Sequence, residues 1–406
     1  MESVAKELIA VDHRSIRRGR VATSLAFLLF GAALGVWTAR IPAVKERLGL
    51  SDGRLSFALL AFAAGCILGM AAIGRLSDRV GSSRVLIATA VLEGVLLVVP
   101  GLTTTLAMLC LALFAFGMVH GTLNIAMNAN AIEVQRASGS PIMSSFHATY
   151  SIGGFVGSLV GSAFAHAGAS VGVTFTTVGV CLVALSAWVA WWVLPSRRPE
   201  PAAVRPEGPS GTSARESMLL VFLGVLVLCT LVGEGTAADW SAVYLNDHLG
   251  TEAGFAAYGF AAFSIAMFLG RLVGDRLTRA LGPVVLVRIC GVVAAAGLAV
   301  AVLVTQPVAA VIGFGLLGAG LSCIAPQAYS AAGNRHPERA ARALSTVVSI
   351  GYVGFLLGPI LIGIAATWVG LRAALVIPVV LALFVAASAT AMRTPARGRA
   401  VSPDGE

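Results

Sequence analysis

The sequence predicts an all-α integral membrane protein in which twelve spanning helices form two related six-helix halves. Three observations carry that prediction: an apolar composition, a regular succession of apolar runs around one polar linker, and short motifs that recur roughly 196 residues apart.

Composition sets the solvent. Of 406 residues, 57% are hydrophobic and only 12% charged, with a mean hydropathy of +0.89. Such a chain belongs in lipid. A spanning helix needs roughly 20 apolar residues to cross a hydrocarbon core about 30 Å thick, so twelve of them with short loops use up nearly all of the length. No room is left for a separate soluble catalytic domain.

Apolar runs bounded by Gly, Pro and charges place helices near 21–44, 55–75, 84–100, 103–134, 142–167 and 170–194, and again near 217–246, 253–274, 283–304, 308–333, 341–367 and 370–392. The expected division is therefore an N-terminal tail over 1–20, a six-helix bundle over 21–194, a linker over 195–216, a second bundle over 217–392 and a tail over 393–406. The linker holds five of the sixteen prolines, with Gly, Ser and charges, and can neither bury a core nor span lipid.

The net charge of +9 does not point to nucleic acid, because the basic residues fall in small groups between apolar runs, with no continuous stripe and no interleaved aromatics. They report topology instead. With the N-terminus inside, 23 of 28 Lys and Arg residues face the cytoplasm, leaving Arg40, Lys45, Arg47, Arg54 and Arg372 outside. The positive-inside bias thus puts both termini in the cytoplasm. The first apolar run lacks a small-residue cleavage site and reads as helix 1, not a removed signal. The six cysteines stand singly in apolar segments and read as small buried hydrophobes.

The two halves repeat. Gly74-Arg75-Leu76 with Asp78-Arg79 returns as Gly270-Arg271-Leu272 with Asp275-Arg276, and Gly157 and Gly161 of helix 5 return as Gly354 and Gly358 of helix 11. Trp37-Thr38-Ala39 of helix 1 has an echo in Trp240-Ser241-Ala242 of helix 7. Two similar bundles offer two nearly equivalent closures about a central site, which is the architecture of a transporter.

The segment from Gly74 to Arg84, GRLSDRVGSSR, resembles the loop signature G-x-L-[SA]-D-R-x-G-[RK]-[RK] of the major facilitator superfamily, departing at Ser82 and Ser83. Across the whole chain the pattern is similar to the fucose-permease-like branch, nearest the group with the rhizopine-locus membrane proteins. That closer likeness is carried by Trp37 to Pro42, Asn124 to Asn130, Pro141 to His147 and Glu234 to Tyr244. The resemblance implies a sugar, cyclitol or related hydroxylated solute. In the fucose-permease pattern helices 1 and 4 carry carboxylates tied to proton coupling; here those positions are Thr38 and Asn124, so coupling must lie elsewhere.

An ionisable or amide side chain at bilayer depth is costly unless it meets a cavity or a partner, so each is a site candidate. His120, Asn124 and Asn128 fall at i, i+4 and i+8 of helix 4, along one face. They can donate to and accept from a polar solute, or simply bond helix 4 to its neighbours. His147 and Tyr150 lie in the polar opening of helix 5, where lining a cavity and meeting interfacial water are both open to them. Trp37, Thr38 and Trp240 complete the candidate solute set.

Helix 7 carries Glu234 between Gly233 and Gly235, then Asp239. About 27 Å of helix separates Glu234 from the start of helix 7, which places it in the outer half of the membrane. Flanking glycines loosen a helix near a ligand. Glu234 is the expected proton-coupling group, with Glu93 of helix 3 and Asp239 behind it, and Arg40 is the expected partner of Asp239. Asp78, Arg79, Arg84, Glu133 and Arg136 form an expected cytoplasmic gating network, with Asp275 and Arg276 in the second half and Arg40 at the outer side.

These readings converge on a secondary transporter working by alternating access, moving a small polar solute with protons as coupling ion. It is expected to be monomeric in a bacterial plasma membrane, with the lipid bilayer as its other partner and no nucleic acid. Proton-linked export of small molecules is the rival within transport, and a transporter-like sensor the rival outside it. An enzyme is not expected: there is no HExxH, GxSxG, P-loop or Cys/His cluster, and nothing calls for a cofactor or metal.

Overall fold

The computed structural model describes residues 13–80, 82–138, 142–193, 214–335 and 340–393, and every regular element among them is helical. Eleven of its apolar stretches are long enough to cross a membrane. One of these, Ala253–Leu303, has 51 residues, which as a single helix would be about 77 Å long, over twice the thickness of a bilayer core. It breaks at Gly282, whose φ of 74° and ψ of 160° are open to glycine and not to a helix, and Pro283 then starts a new segment. Both arms lie along the next helix, since Gly318 abuts the backbone of Phe263 and Gly313 abuts that of Gly297. Twelve spans result.

We number them α1 (His13–Arg47), α2 (Asp52–Val80), α3 (Ser82–Leu102), α4 (Leu106–Ser138), α5 (Met143–His166), α6 (Val171–Ala190) and α7 (Ala214–Val243) in chain order. Then follow α8 (253–281), α9 (283–303), α10 (Pro307–Gly333), α11 (Ala340–Val369) and α12 (Leu371–Met392). Most helices outrun the apolar runs that predict them, because a helix continues past the hydrocarbon once its first turns are nucleated. Helix α10, expected as one piece, is interrupted between Leu321 and Ile324. The linker from 195 to 213 and the tails over 1–12 and 394–406 lie outside the described residues.

In the first half α1 packs on α5, α2 on α4 and α3 on α6; in the second, α7 packs on α11, α8 on α10 and α9 on α12. Small residues make these contacts, as expected where lipid supplies no hydrophobic drive between helices. The contacts repeat along with the sequence. Gly157 of α5 sits on the carbonyl of Ala32, and Gly354 of α11 on the carbonyl of Leu228, with no room for a β-carbon at either. The turns at the end away from the termini repeat too: Gly49 and Gly250 take positive φ after α1 and α7, as do Gly168 and Gly370 after α5 and α11.

The halves meet where α2 faces α11, α5 faces α8 and α1 faces α7. Of the cysteines, Cys229, Cys290 and Cys323 are buried as expected, whereas Cys66 and Cys110 are half-buried and Cys181 is exposed on the rim of the bundle. An exposed thiol facing lipid is no less apolar in its surroundings than a buried one.

Candidate solute site and gates

Helices α5, α7 and α8 enclose a small cavity between the two halves, with Tyr150, Ser151, Glu234, Phe260, Arg271 and Phe355 among its walls. The approach is set by glycine: Gly31 of α1 abuts the Tyr150 carbonyl, and Gly154 faces Ser264 and Phe260 of α8 across the interface. Glu234 projects from an unbroken α7, so its glycines do not interrupt the helix. A β-carbon at Gly233 would lie 2.8 Å from the Leu321 Cδ1 methyl, which a small side-chain shift relieves, while Gly235 has ordinary room beside Phe355.

Arg271 is the residue the sequence reading missed. Its place in the recurring Gly-Arg-Leu motif put it among cytoplasmic loop charges, yet it lies on α8 facing the cavity. Its Nη2 is 3.7 Å from Glu234 Oε1, and its Nη1 donates a 3.0 Å hydrogen bond to Ser151 Oγ. One guanidinium thus links α7, α8 and α5, and so both halves. The signal that could have found it is its place before the end of the 253–274 apolar run, one turn ahead of the charges at Asp275 and Arg276, where an arginine needs a partner.

The helix-4 stripe divides. His120 turns away to Glu93 of α3, its Nδ1 sharing a 2.6 Å hydrogen bond with Oε1, and both side chains are buried. Phe30 stacks on the imidazole at 3.8 Å between ring centroids, with Phe62 and Phe116 beside it. This pair lies behind the cavity wall. Asn124 and Asn128 remain half-buried, and Asn128 Nδ2 donates to the Asn124 carbonyl at 2.8 Å and to its Oδ1 at 3.1 Å. Neighbouring Asn130 is fully buried and accepts from Thr23 Oγ1, a bond that joins α4 to α1.

Tyr150 lines the cavity, and His147 is half-buried one turn away with its ring edge on Phe27. Trp37, Thr38 and Trp240 do not reach it. All three are fully buried: Trp37 against Phe175, Thr38 donating to the carbonyl of Gly35, and Trp240 beside Gly363. Their polar character marked them for solute, but helix packing covers them. Asp239 is half-buried and makes no hydrogen bond or ion pair among the described residues. The expected Arg40–Asp239 pair is not formed; Arg40 donates to the Ala169 carbonyl at 2.6 Å, closing the turn between α5 and α6.

A charged latch stands instead at the end of the bundle away from the termini. Lys45 of α1 pairs with Asp52 of α2 at 2.5 Å and with Asp247 beyond α7. Nearby, Ser162 of α5 donates to the Gly254 carbonyl of α8 at 2.7 Å, and Gly53 of α2 rests on Thr367 of α11. These contacts close that end. In the expected cytoplasmic network the side chains of Asp78, Arg79 and Arg136 lie outside the described residues. Arg84 is exposed, Glu133 half-buried, and Asp275 and Arg276 exposed at the far end of α8.

The sequence profile of the Major Facilitator Superfamily matches residues 22–315 and again 236–406. An uncharacterised MFS-type transporter of Yersinia pestis is 34% identical over 92% of this chain and 95% of its own length. An uncharacterised transporter of Sinorhizobium fredii is 36% identical over 84% and 89%, and membrane protein MosC of Rhizobium meliloti 30% over 90% and 88%. Among solved structures, a bacterial homologue of the human lysosomal transporter Spinster superposes with a TM-score of 0.72 at 17% identity, covering 94% of this chain and 98% of that one. The nucleoside transporter NupG gives 0.70 at 13% identity, covering 93% and 99%. With a matching profile along nearly its whole length, relatives above 30% identity and twelve helices in two equivalent halves, the chain belongs to the major facilitator superfamily and is a multi-pass membrane transporter, not an enzyme.

Proposed function

We propose that the protein is a proton-coupled importer of a small polar solute, such as a sugar, cyclitol or related hydroxylated compound, in a bacterial plasma membrane with both termini cytoplasmic. The observation that carries this reading is the Glu234–Arg271 pair on the wall of the cavity between the halves. A carboxylate and a guanidinium at that depth are expensive unless they are used, and their separation is too long for a mutual hydrogen bond. Each has bonding capacity free for solute. The aromatic walls offer flat faces to the C–H surfaces of a ring, and Tyr150 and Ser151 supply hydroxyls.

In this reading the six-helix halves rock about the cavity. Glu234 loads a proton when the cavity opens outward and releases it inward, the solute binding in the same state. Asn124 and Asn128, half-buried on α4, extend the polar lining of the open state, and Asp239 is a second protonation site. Asp78, Arg79, Arg84, Glu133 and Arg136 latch the cytoplasmic end when the outer end opens, with Asp275 and Arg276 serving the second half.

The test is transport in oriented vesicles with a labelled panel of sugars, cyclitols and their derivatives. Right-side-out vesicles with an acidic exterior should accumulate the solute, and a protonophore should abolish the gradient but not exchange. Accumulation confined to inside-out vesicles with an acidic lumen would show proton-linked export instead.

A further inference from the structure

We infer that Arg271 is the receptor for an anionic group on the solute, so that the transported compound is a small hydroxylated acid, and that Glu234 is the partner Arg271 holds when solute is absent. The inference rests on the transport reading above and sharpens its substrate class.

Three observations point to an anion at this place. First, the guanidinium is under-used. Of its five N–H donors, the bonds described engage Ser151, while the contact with Glu234 at 3.7 Å exceeds hydrogen-bonding length. Arg47, by contrast, spreads its donors over the Gly101 and Pro100 carbonyls. Second, Arg271 is accessible. Its side chain is 21% exposed against 16% for Glu234, and both line the cavity. Third, its contacts already reach both halves at the cavity itself, Ser151 on α5 and Glu234 on α7. A planar fork of donors fits a carboxylate in two bonds, and the geometry is better than the single loose contact that Glu234 provides.

The acid reading is preferred to an amine for a specific reason. An ammonium would have to bind Glu234 beside a fixed guanidinium, and like charges at such range oppose each other. Asp239, the other carboxylate on α7, does not offset this: five residues on, it lies about 140° round the helix from Glu234. It is absent from the cavity wall.

Competition for Arg271 also gives the coupling its stoichiometry. When the solute carboxylate takes the guanidinium, Glu234 loses its counter-charge in a site walled by Phe260, Phe263 and Phe355. An uncompensated carboxylate there binds a proton. One anion and one proton then cross together, with no net charge moved. Release of both to the inside restores the Glu234–Arg271 pair.

Purified full-length protein, assayed by thermal shift, should be stabilised by gluconate and glucuronate and not by sorbitol, glucose or glucosamine. Arg271→Gln and Arg271→Lys should each weaken carboxylate binding at least about tenfold, since one charge-assisted bidentate contact is lost or reduced to a point charge. Arg279→Gln, a change at an exposed arginine two turns on, should leave it intact. The Lys variant keeps the positive charge and guards against loss of fold in the Gln variant. Equal shifts by the neutral or amine-bearing sugars, no shift by any carboxylate with the wild type, or unchanged affinity in the Lys variant would each overturn the assignment. Vesicle uptake separates the two levels: binding of carboxylates through Arg271 with no movement across the vesicle membrane keeps the receptor and overturns the transport reading.

Discussion

Lys45 of α1 and Asp247, just beyond α7, form an ion pair that joins the two halves at the end away from the termini, the outer end in the proposed orientation, with Asp52 of α2 holding the same ammonium at 2.5 Å. The three side chains are partly exposed, so each contact is modest in water. Their value is conditional: the Asp247 contact exists only while the outer end is closed. A bond present in one state and absent in the other shifts a population without touching the solute site.

Lys45→Gln should therefore favour the outward-open state by about fivefold, corresponding to about 1 kcal/mol for one partly exposed pair. Cysteines placed in the cavity wall should become more reactive toward an impermeant reagent added outside. Reactivity that stays the same would remove Lys45 from the gate.

Glu234→Gln fixes the neutral form of the carboxyl group, so solute exchange should persist while uphill accumulation and solute-induced proton movement are both lost. The comparison must be made in one vesicle preparation. Full proton-driven accumulation by the variant would transfer the coupling role to Asp239 or to Glu93.

The Glu93–His120 pair predicts a non-additive cycle. His120→Phe alone leaves Glu93 buried without its partner and should cost about 3 kcal/mol or more. Adding Glu93→Met should recover most of that loss, because two apolar side chains suit the pocket formed by Phe30, Phe62 and Phe116. Thermal melting in detergent reads the outcome, and simple addition of the two costs would contradict a paired role.

Gly157→Val and Gly354→Val should each destabilise by about 1 to 3 kcal/mol, since each pushes a β-branched side chain into the backbone of the facing helix. Gly235→Ala should be tolerated, its β-carbon meeting nothing nearer than Phe355 at 3.7 Å. Stability of the three variants in detergent, ranked by fluorescence-monitored gel filtration, tests the helix contacts in both halves at once.

The sequence by itself determined the membrane class, the twelve spans and the twofold repeat, because lipid forces every backbone polar group into a helix and leaves apolar length and charge bias in plain view. It also singled out Glu234, whose cost at that depth is visible without knowing any neighbour. What it could not decide was partnership. His120 and Asn124 share a helical face at one turn's spacing, yet Glu93 on α3 draws the histidine into an aromatic pocket while the amide stays half-buried against Asn128. Arg40 looked equivalent to other membrane arginines until the turn after α5 supplied the Ala169 carbonyl. Arg271 read as a loop charge through its motif, and only the packing of α8 against α5 and α7 set it on the cavity wall. Periodicity is local and survives in one dimension, whereas a polar group's partner comes from another helix, distant in sequence and brought within a few ångströms by helix packing alone.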